Sequence, residues 1–197
     1  MAAIDASVYE KFIIESSDGS TTVNIADGVV MFSYFEDIFS PTITAKVYIV
    51  NDGNTIEGPE GKMTSLYNGL PIRGGERVMI KIAANSPDNP GMDFSEDATM
   101  YFYVSSIRNV LQDTKSESFV LELVPRETLT NETSRVGKKY SSSTSISDSV
   151  KDIVKNYLKT DKLNGDNVDK TQNPYGFLGN LRKPFTVLTW LASKSVP

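Results

Sequence analysis

The side chains of this chain that could do chemistry are carboxylates, hydroxyls, amides and amines, because its 197 residues include no histidine and no cysteine. Without imidazole or thiol, Ser-His-Asp and Cys-His catalysis are excluded and the commonest metal ligand is missing. A zinc site would have to be built from carboxylates alone, outside the usual donor sets. What remains is a pair of carboxylates working as acid and base across a glycosidic bond. Glu57, Glu60, Asp93, Glu96 and Asp97 are the acidic residues gathered in polar loops, and their spacing alone sets no two of them across a cleft.

Other motifs fail on spacing. GPEGKMTS (58–65) has a Gly-Lys pair, but Ile56 stands where a phosphate-binding loop needs glycine, and Met63 replaces the magnesium-binding hydroxyl. Asp161, Asp166 and Asp169 with Asn164 and Asn167 supply oxygens without the order of an EF-hand loop. Arg135, Lys138, Lys139 and Tyr140 form a short basic stretch that lacks the aromatic interleaving of a nucleic-acid reader. No metal and no cofactor is expected.

Thirty-nine per cent of the residues are apolar, with nine Phe and nine Tyr, which suits a packed core. No stretch approaches the roughly 20 apolar residues of a membrane helix, so no membrane partner is expected. The start, MAAIDASVYEKF, lacks a basic region followed by an apolar one, which predicts no signal peptide. Absence of cysteine suits a reducing assembly site. Charge divides along the chain. Residues 1–128 carry 9 Lys+Arg against 19 Asp+Glu, and residues 129–197 carry 11 against 6. An acidic half joined to a basic half predicts two units with different surroundings, although scatter over solvated faces would look the same.

Period-two alternation positions most of these residues. Strands are predicted at 8–15, 29–35, 42–50, 76–83, 99–108 and 117–124. VVMFSYF (29–35) is continuously apolar and aromatic, the pattern of a strand buried on both faces. In TITAKVYIV (42–50), Ile43, Ala45, Val47 and Ile49 share one side. Residues 86–97 read as a long polar loop and 109–118 as a hairpin tip. Six such strands suit a barrel or sandwich.

The pattern changes near residue 128. RETLTNETSRVGKKYSSSTS reads as a polar linker. A helix follows over 145–158, with Ser145 and Asp148 in capping-box spacing. RKPFTVLTWLASKSVP ends the chain as a second amphipathic helix with Pro184 in its first turn. Its apolar stripe must pack against something.

Three segments in order, LPIRGGERVMIKI (70–82), SFVLELVPRETLTNETSRVGKKYSSSTSISDSVKDIVKNYL (118–158) and RKPFTVLTWLASKS (182–195), resemble the N-terminal part of the baseplate hub protein of contractile-tailed bacteriophages. The resemblance implies a mainly β (α+β) chain, with a tail-tube-like antiparallel β-barrel over 1–128. Residues 129–197 would begin a second α+β domain that is incomplete, leaving the final helix without its partner. It further implies a structural virion protein of the tail baseplate, assembled in the host cytoplasm. It would form a ring with copies of itself, a trimer, between the tail tube protein and the central spike protein. DNA would pass through the ring without specific binding, and no reaction would be catalysed.

On that basis Phe32, Tyr34, Phe35, Tyr101 and Tyr103 are candidate interface aromatics, although core packing explains each of them equally well. Glu57, Glu60, Asp93, Glu96 and Asp97 are candidates for acidic loops facing the lumen, where they would repel phosphates. Two other readings stay open: an all-β carbohydrate- or peptide-binding module, and a cell-wall hydrolase with a carboxylate pair.

Overall fold

The structure, a computed structural model, describes residues 7–196 apart from 54–55, 58–61, 71, 87, 89, 164–167 and the side chain of Glu57. Alternating residues make the strands. β1 (Val8–Glu15) buries Phe12 and Ile14 and continues through a turn at Gly19 into β2 (Thr22–Asn24). One 3-10 turn, Ala26–Gly28, then leads into β3 (Val29–Phe35). β4 (Thr44–Asp52) buries Ala45, Val47 and Ile49. A small ribbon of β5 (Ile56–Glu57) and β6 (Met63–Thr64) precedes α1 (Leu66–Gly69). β7 (Arg77–Ala83), β8 (Met92–Phe94), β9 (Phe102–Gln112) and β10 (Ser116–Pro125) complete the sheet. β8 lies within the stretch expected to be loop, paired to β7 at Ile80↔Phe94 and Ile82↔Met92.

All the strand pairs are antiparallel, in the order β2-β1-β7-β9-β10-β4-β3, with β8 also on β7. β7 divides one edge between two neighbours. Arg77 and Val78 pair with β9, and Ile80–Ile82 pair with β8. This division lets the sheet roll, so that Phe12, Ile14, Val47, Val78, Ile80, Phe102, Phe119 and Leu121 fall into one core.

The expected barrel is therefore corrected to a rolled open sheet. Among the described residues no ladder joins β3 to the β1–β2 end. Side chains close the roll instead. Phe12 meets Phe32 edge-to-face at 5.7 Å, Tyr34 stacks on Phe94 at 5.9 Å, and Phe94 meets Phe102 at 5.2 Å. The link between β2 and β3 crosses the same gap, with Ile25 N–H donating to the Phe12 carbonyl at 2.7 Å. Gly28 is required there, since a Cβ would come 2.7 Å from the Val50 carbonyl oxygen.

A polar row crosses the outer face. Ser33, Lys46, Glu122 and Ser106 stand opposite one another on β3, β4, β10 and β9. Glu122 accepts from Ser106 Oγ at 2.6 Å, and Arg108 and Lys46 lie 3.0 and 3.7 Å away. The Ser106 hydroxyl, then Arg108 and Lys46, hold its carboxyl below the ordinary 4.5.

Contacts divide the chain into two units. One runs to Asp37 and resumes over Ile43–Arg126; the other takes Ile38–Thr42 and everything from Glu127 on. Pro125, with no N–H to donate, ends β10. The polar linker expected next is corrected in its first part to a helix, α2 (Arg126–Thr133). Its apolar stripe is weak, and polar contacts hold it: Asn131 Oδ1 accepts from Phe185 N–H at 2.8 Å, Thr128 shares a hydroxyl bond with Thr42 at 2.7 Å, and Glu127 pairs with Lys162 at 3.1 Å.

α3 (Ile146–Ile153) is capped by Ser145, which accepts from Asp148 N–H at 3.1 Å, and it continues as a π turn over Val154–Leu158. β11 (Lys139–Tyr140) pairs with β12 (Phe177–Leu178), and α4 (Pro184–Ala192) ends the unit. The expectation that this last helix lacks a partner is overturned. Val187 and Leu191 are buried with Ile146, Ile153, Val136 and Tyr140. The partner of α4 is α3 itself, whose apolar face the sequence had already laid out.

Gly28→Ala forces the β2–β3 link away from Val50 and lowers stability by about 1–3 kcal/mol in urea denaturation. Ser106→Ala raises the Glu122 titration midpoint, read by carboxyl NMR. In the wild type, Glu122 contributes stability above its unfolded value of 4.5 and loses it as pH falls through the lower folded value. In Ser106→Ala that loss begins at higher pH.

Candidate assembly surface

β3 ends the sheet, and its register fixes which side chains look which way. Phe32 and Tyr34 stand opposite Val47 and Ala45 and point into the core. Met31 and Phe35 stand opposite Tyr48 and Thr44 on the outer face, 44% and 51% exposed, and Val30, at the bulge between them and Val29, is 66% exposed. The strand expected to be buried on both faces is thus an edge strand with an apolar outer side. A continuously apolar run suits burial by the same chain and burial by another one equally well.

The five candidate aromatics do not form one patch. Phe32 and Tyr34 are core residues, with the Tyr34 hydroxyl donating to Glu36 at 3.2 Å. Phe35 alone joins the exposed edge. Tyr103 lies half-buried on the outer face of β9, between Val124 of β10 and Arg77 of β7, and Tyr101 is half-buried just before it.

The acidic candidates also part company. Asp93 faces Lys81 across β8 and β7 at 3.6 Å, and Lys81 reaches Glu10 at 3.4 Å on its other side. These three line an open groove of about 610 Å³. The Ser95 hydroxyl and N–H, then Lys81, hold the Asp93 carboxyl below its usual range, so it stays ionised at neutral pH. A general acid needs the opposite shift. Glu96 and Asp97 lie exposed in the following turn, where Asp97 accepts from Thr99 N–H at 2.8 Å. Glu57 is paired to Met63 through its backbone, and Glu60 lies outside the described residues. Among the described residues no three His, Cys, Asp or Glu side chains cluster as a metal site, and no helix is long and apolar enough to cross a membrane.

The sequence pattern does not single out two buried carboxylates that pin turns at other edges of the sheet. Glu76 is buried and accepts from Arg73 N–H at 2.7 Å and Gly74 N–H at 2.9 Å, folding the turn before β7, where Gly74 and Gly75 both take positive φ. Glu117 is buried at the start of β10 and accepts from Asn51 Nδ2 at 2.9 Å and Tyr67 N–H at 3.3 Å, which ties α1 to the sheet. The available signal was Gly74-Gly75 before a strand, two positive-φ residues beside a turn whose N–H groups converge on an acceptor.

No family model matches this chain, and no curated protein matches it. Solved structures do. The 43 kDa tail protein of prophage MuSo2 from Shewanella oneidensis superposes with a TM-score of 0.56 at 10% identity, over 93% of this chain and 50% of that one. The tail protein from Neisseria meningitidis MC58 gives 0.52 at 12% identity, over 94% of this chain and 45% of that one. The chain spans about half the length of the tail proteins it matches. Its rolled antiparallel sheet and the small helical unit that follows have the fold found in these phage tail proteins.

Proposed function

We propose that this chain is a structural component of a phage tail baseplate hub. Copies of it surround a central channel, as a trimer, between the tail tube protein and the central spike protein, and DNA passes through without specific binding. It works as part of the virion tail, assembled in the host cytoplasm, and catalyses nothing. The observation that carries this reading is the β3 edge. Among the described residues this strand has an unused ladder side, and it turns Val30, Met31 and Phe35 outward on a sheet whose fold is that of tail proteins. An edge of this kind templates pairing with another chain. Repeated around an axis, it builds a closed ring.

The same reading gives the acidic loops a role. Glu96 and Asp97 are exposed and give the channel a negative wall that DNA slides past. Asp93 contributes less, because Lys81 offsets its charge. The domain division goes with it: residues 1–128 serve as the tube-like part and residues 129–197 begin the part that follows.

Native mass spectrometry and electron microscopy test the proposal. The expected result is a trimer with a central hole. Met31→Lys together with Phe35→Lys releases folded monomers, since both side chains point outward. A monomer that binds a discrete sugar in a closed pocket, or turnover of cell-wall material, overturns it.

A further inference from the structure

The end of α2 and the start of α4 bring together an amine, a carboxylate and a carboxamide. Glu132 holds a partner on each of its oxygens. Oε2 accepts from Lys183 Nζ, and Oε1 accepts from Asn131 Nδ2 at 3.2 Å. Asn131 is itself buried, and its Oδ1 accepts from Phe185 N–H at 2.8 Å. One carboxylate therefore bridges the lysine amine and the asparagine amide.

Each of these contacts meets one need of amide exchange. An amine attacks a carbonyl carbon only after giving up a proton, and a carboxylate in contact with it can act as the base. The Lys183 ammonium, then the Asn131 amide, hold the Glu132 carboxyl below its ordinary 4.5, so it is ionised and able to accept. The departing nitrogen must gain a proton, and the same carboxylate touches that nitrogen. Negative charge gathers on the amide oxygen in between. Phe185 N–H lies in the first turn of α4, where N–H groups lack partners inside the helix and the dipole is positive. Aimed at Asn131 Oδ1, it stands where an oxyanion donor is needed. Asn131, 5% exposed, is also shielded from water, the competing nucleophile.

We propose that Asn131 and Lys183 join in an isopeptide bond, with Glu132 as the proton carrier. Glu132 takes a proton from the Lys183 ammonium. The freed amine adds to Asn131 Cγ, and the electron pair of the C=O bond moves to Oδ1. Glu132 passes its proton to Nδ2 and takes a second one from Nζ. The C–Nδ2 bond breaks as the carbonyl re-forms, and ammonia leaves with that second proton as ammonium. One C–N bond forms and one breaks, with no oxidant or reductant. The residues are used once, so there is no turnover, and the step does not depend on how copies assemble. The product staples α2 to α4 and closes the loop that contains β11, α3 and β12, which restricts the unfolded chain.

Intact mass spectrometry tests this on the purified chain, held for days at mildly alkaline pH, where lysine amines lose their proton more readily. The wild type is expected to become lighter by one ammonia, and its tryptic digest to contain a branched peptide joining Asn131 to Lys183. Its thermal midpoint rises by about 5 °C or more. Lys183→Arg keeps the ion pair without a nucleophilic amine, and Glu132→Gln keeps the shape but takes no proton. Both side chains are exposed, so both variants fold, and both keep their full mass. The inference falls if the wild type keeps its full mass, or if either variant loses ammonia as fast as the wild type. It also falls if ammonia is lost without the branched peptide, the mark of a succinimide at Asn131.

Discussion

Phe12 and Phe32 lie on strands near opposite ends of the sheet order, and their edge-to-face contact holds the roll shut. A buried phenylalanine contributes about 1.5–3 kcal/mol by removing apolar area from water, and an aromatic pair adds about 0.5–1.5 kcal/mol. Closure by side chains has a consequence that closure by a ladder lacks. The core is sealed while, among the described residues, the backbone groups on the outer side of β3 enter no ladder. A closed barrel would have used them. The same strand therefore both completes the interior through Phe32 and Tyr34 and presents an outer side through Val30, Met31 and Phe35.

The second unit is built on a different balance. Its apolar cluster is small, so polar contacts take a larger share. The Tyr140 hydroxyl donates to Asp152 at 2.6 Å while Lys138 and Asn156 each reach the other oxygen at 2.9 Å. Burial pushes the Asp152 carboxyl up, yet these three donors together hold it below its usual value. Burial, then the bond to Asp152, pushes Tyr140 upward. The Tyr140 ring stacks on Phe177 at 4.5 Å, and Phe177 meets Trp190 of α4 at 5.5 Å. The ribbon and both helices are thereby fastened around one tyrosine.

The strands were legible because one-sided burial writes itself as alternation. Ala45, Val47 and Ile49 read as a face and are one, and Ser145 reads as a cap and is one. What failed did so for identifiable reasons. α2 has only a weak apolar stripe, so periodicity could not find a helix that depends on Asn131, Thr128 and Glu127. The composition of β3 implies burial on both faces because it records how apolar the strand's surroundings are, not which molecule supplies them. The sequence gives α4 no partner because its pairing with α3, about thirty residues earlier, is a tertiary fact that neither stripe states alone. Among the candidate residues, the sequence could name Phe35 by type, but only the register separates it from Phe32 three positions before.

The shared edge of β7 bears on how the molecule would carry load. A sheet parts first where its strands are joined by the fewest bonds in line. β9 and β10 face each other over eight matched positions, and β10 and β4 over another eight. β7 meets β9 at two, Arg77↔Tyr103 and Val78↔Phe102, with Val104 adding backbone bonds to Gly75 and Glu76 just before the strand. Tension across the sheet would load that joint more heavily per bond than the β9–β10 or β10–β4 ladders. β1, β7 and β8 would swing away together like a door leaf, while β9, β10, β4 and β3 stayed intact as the frame.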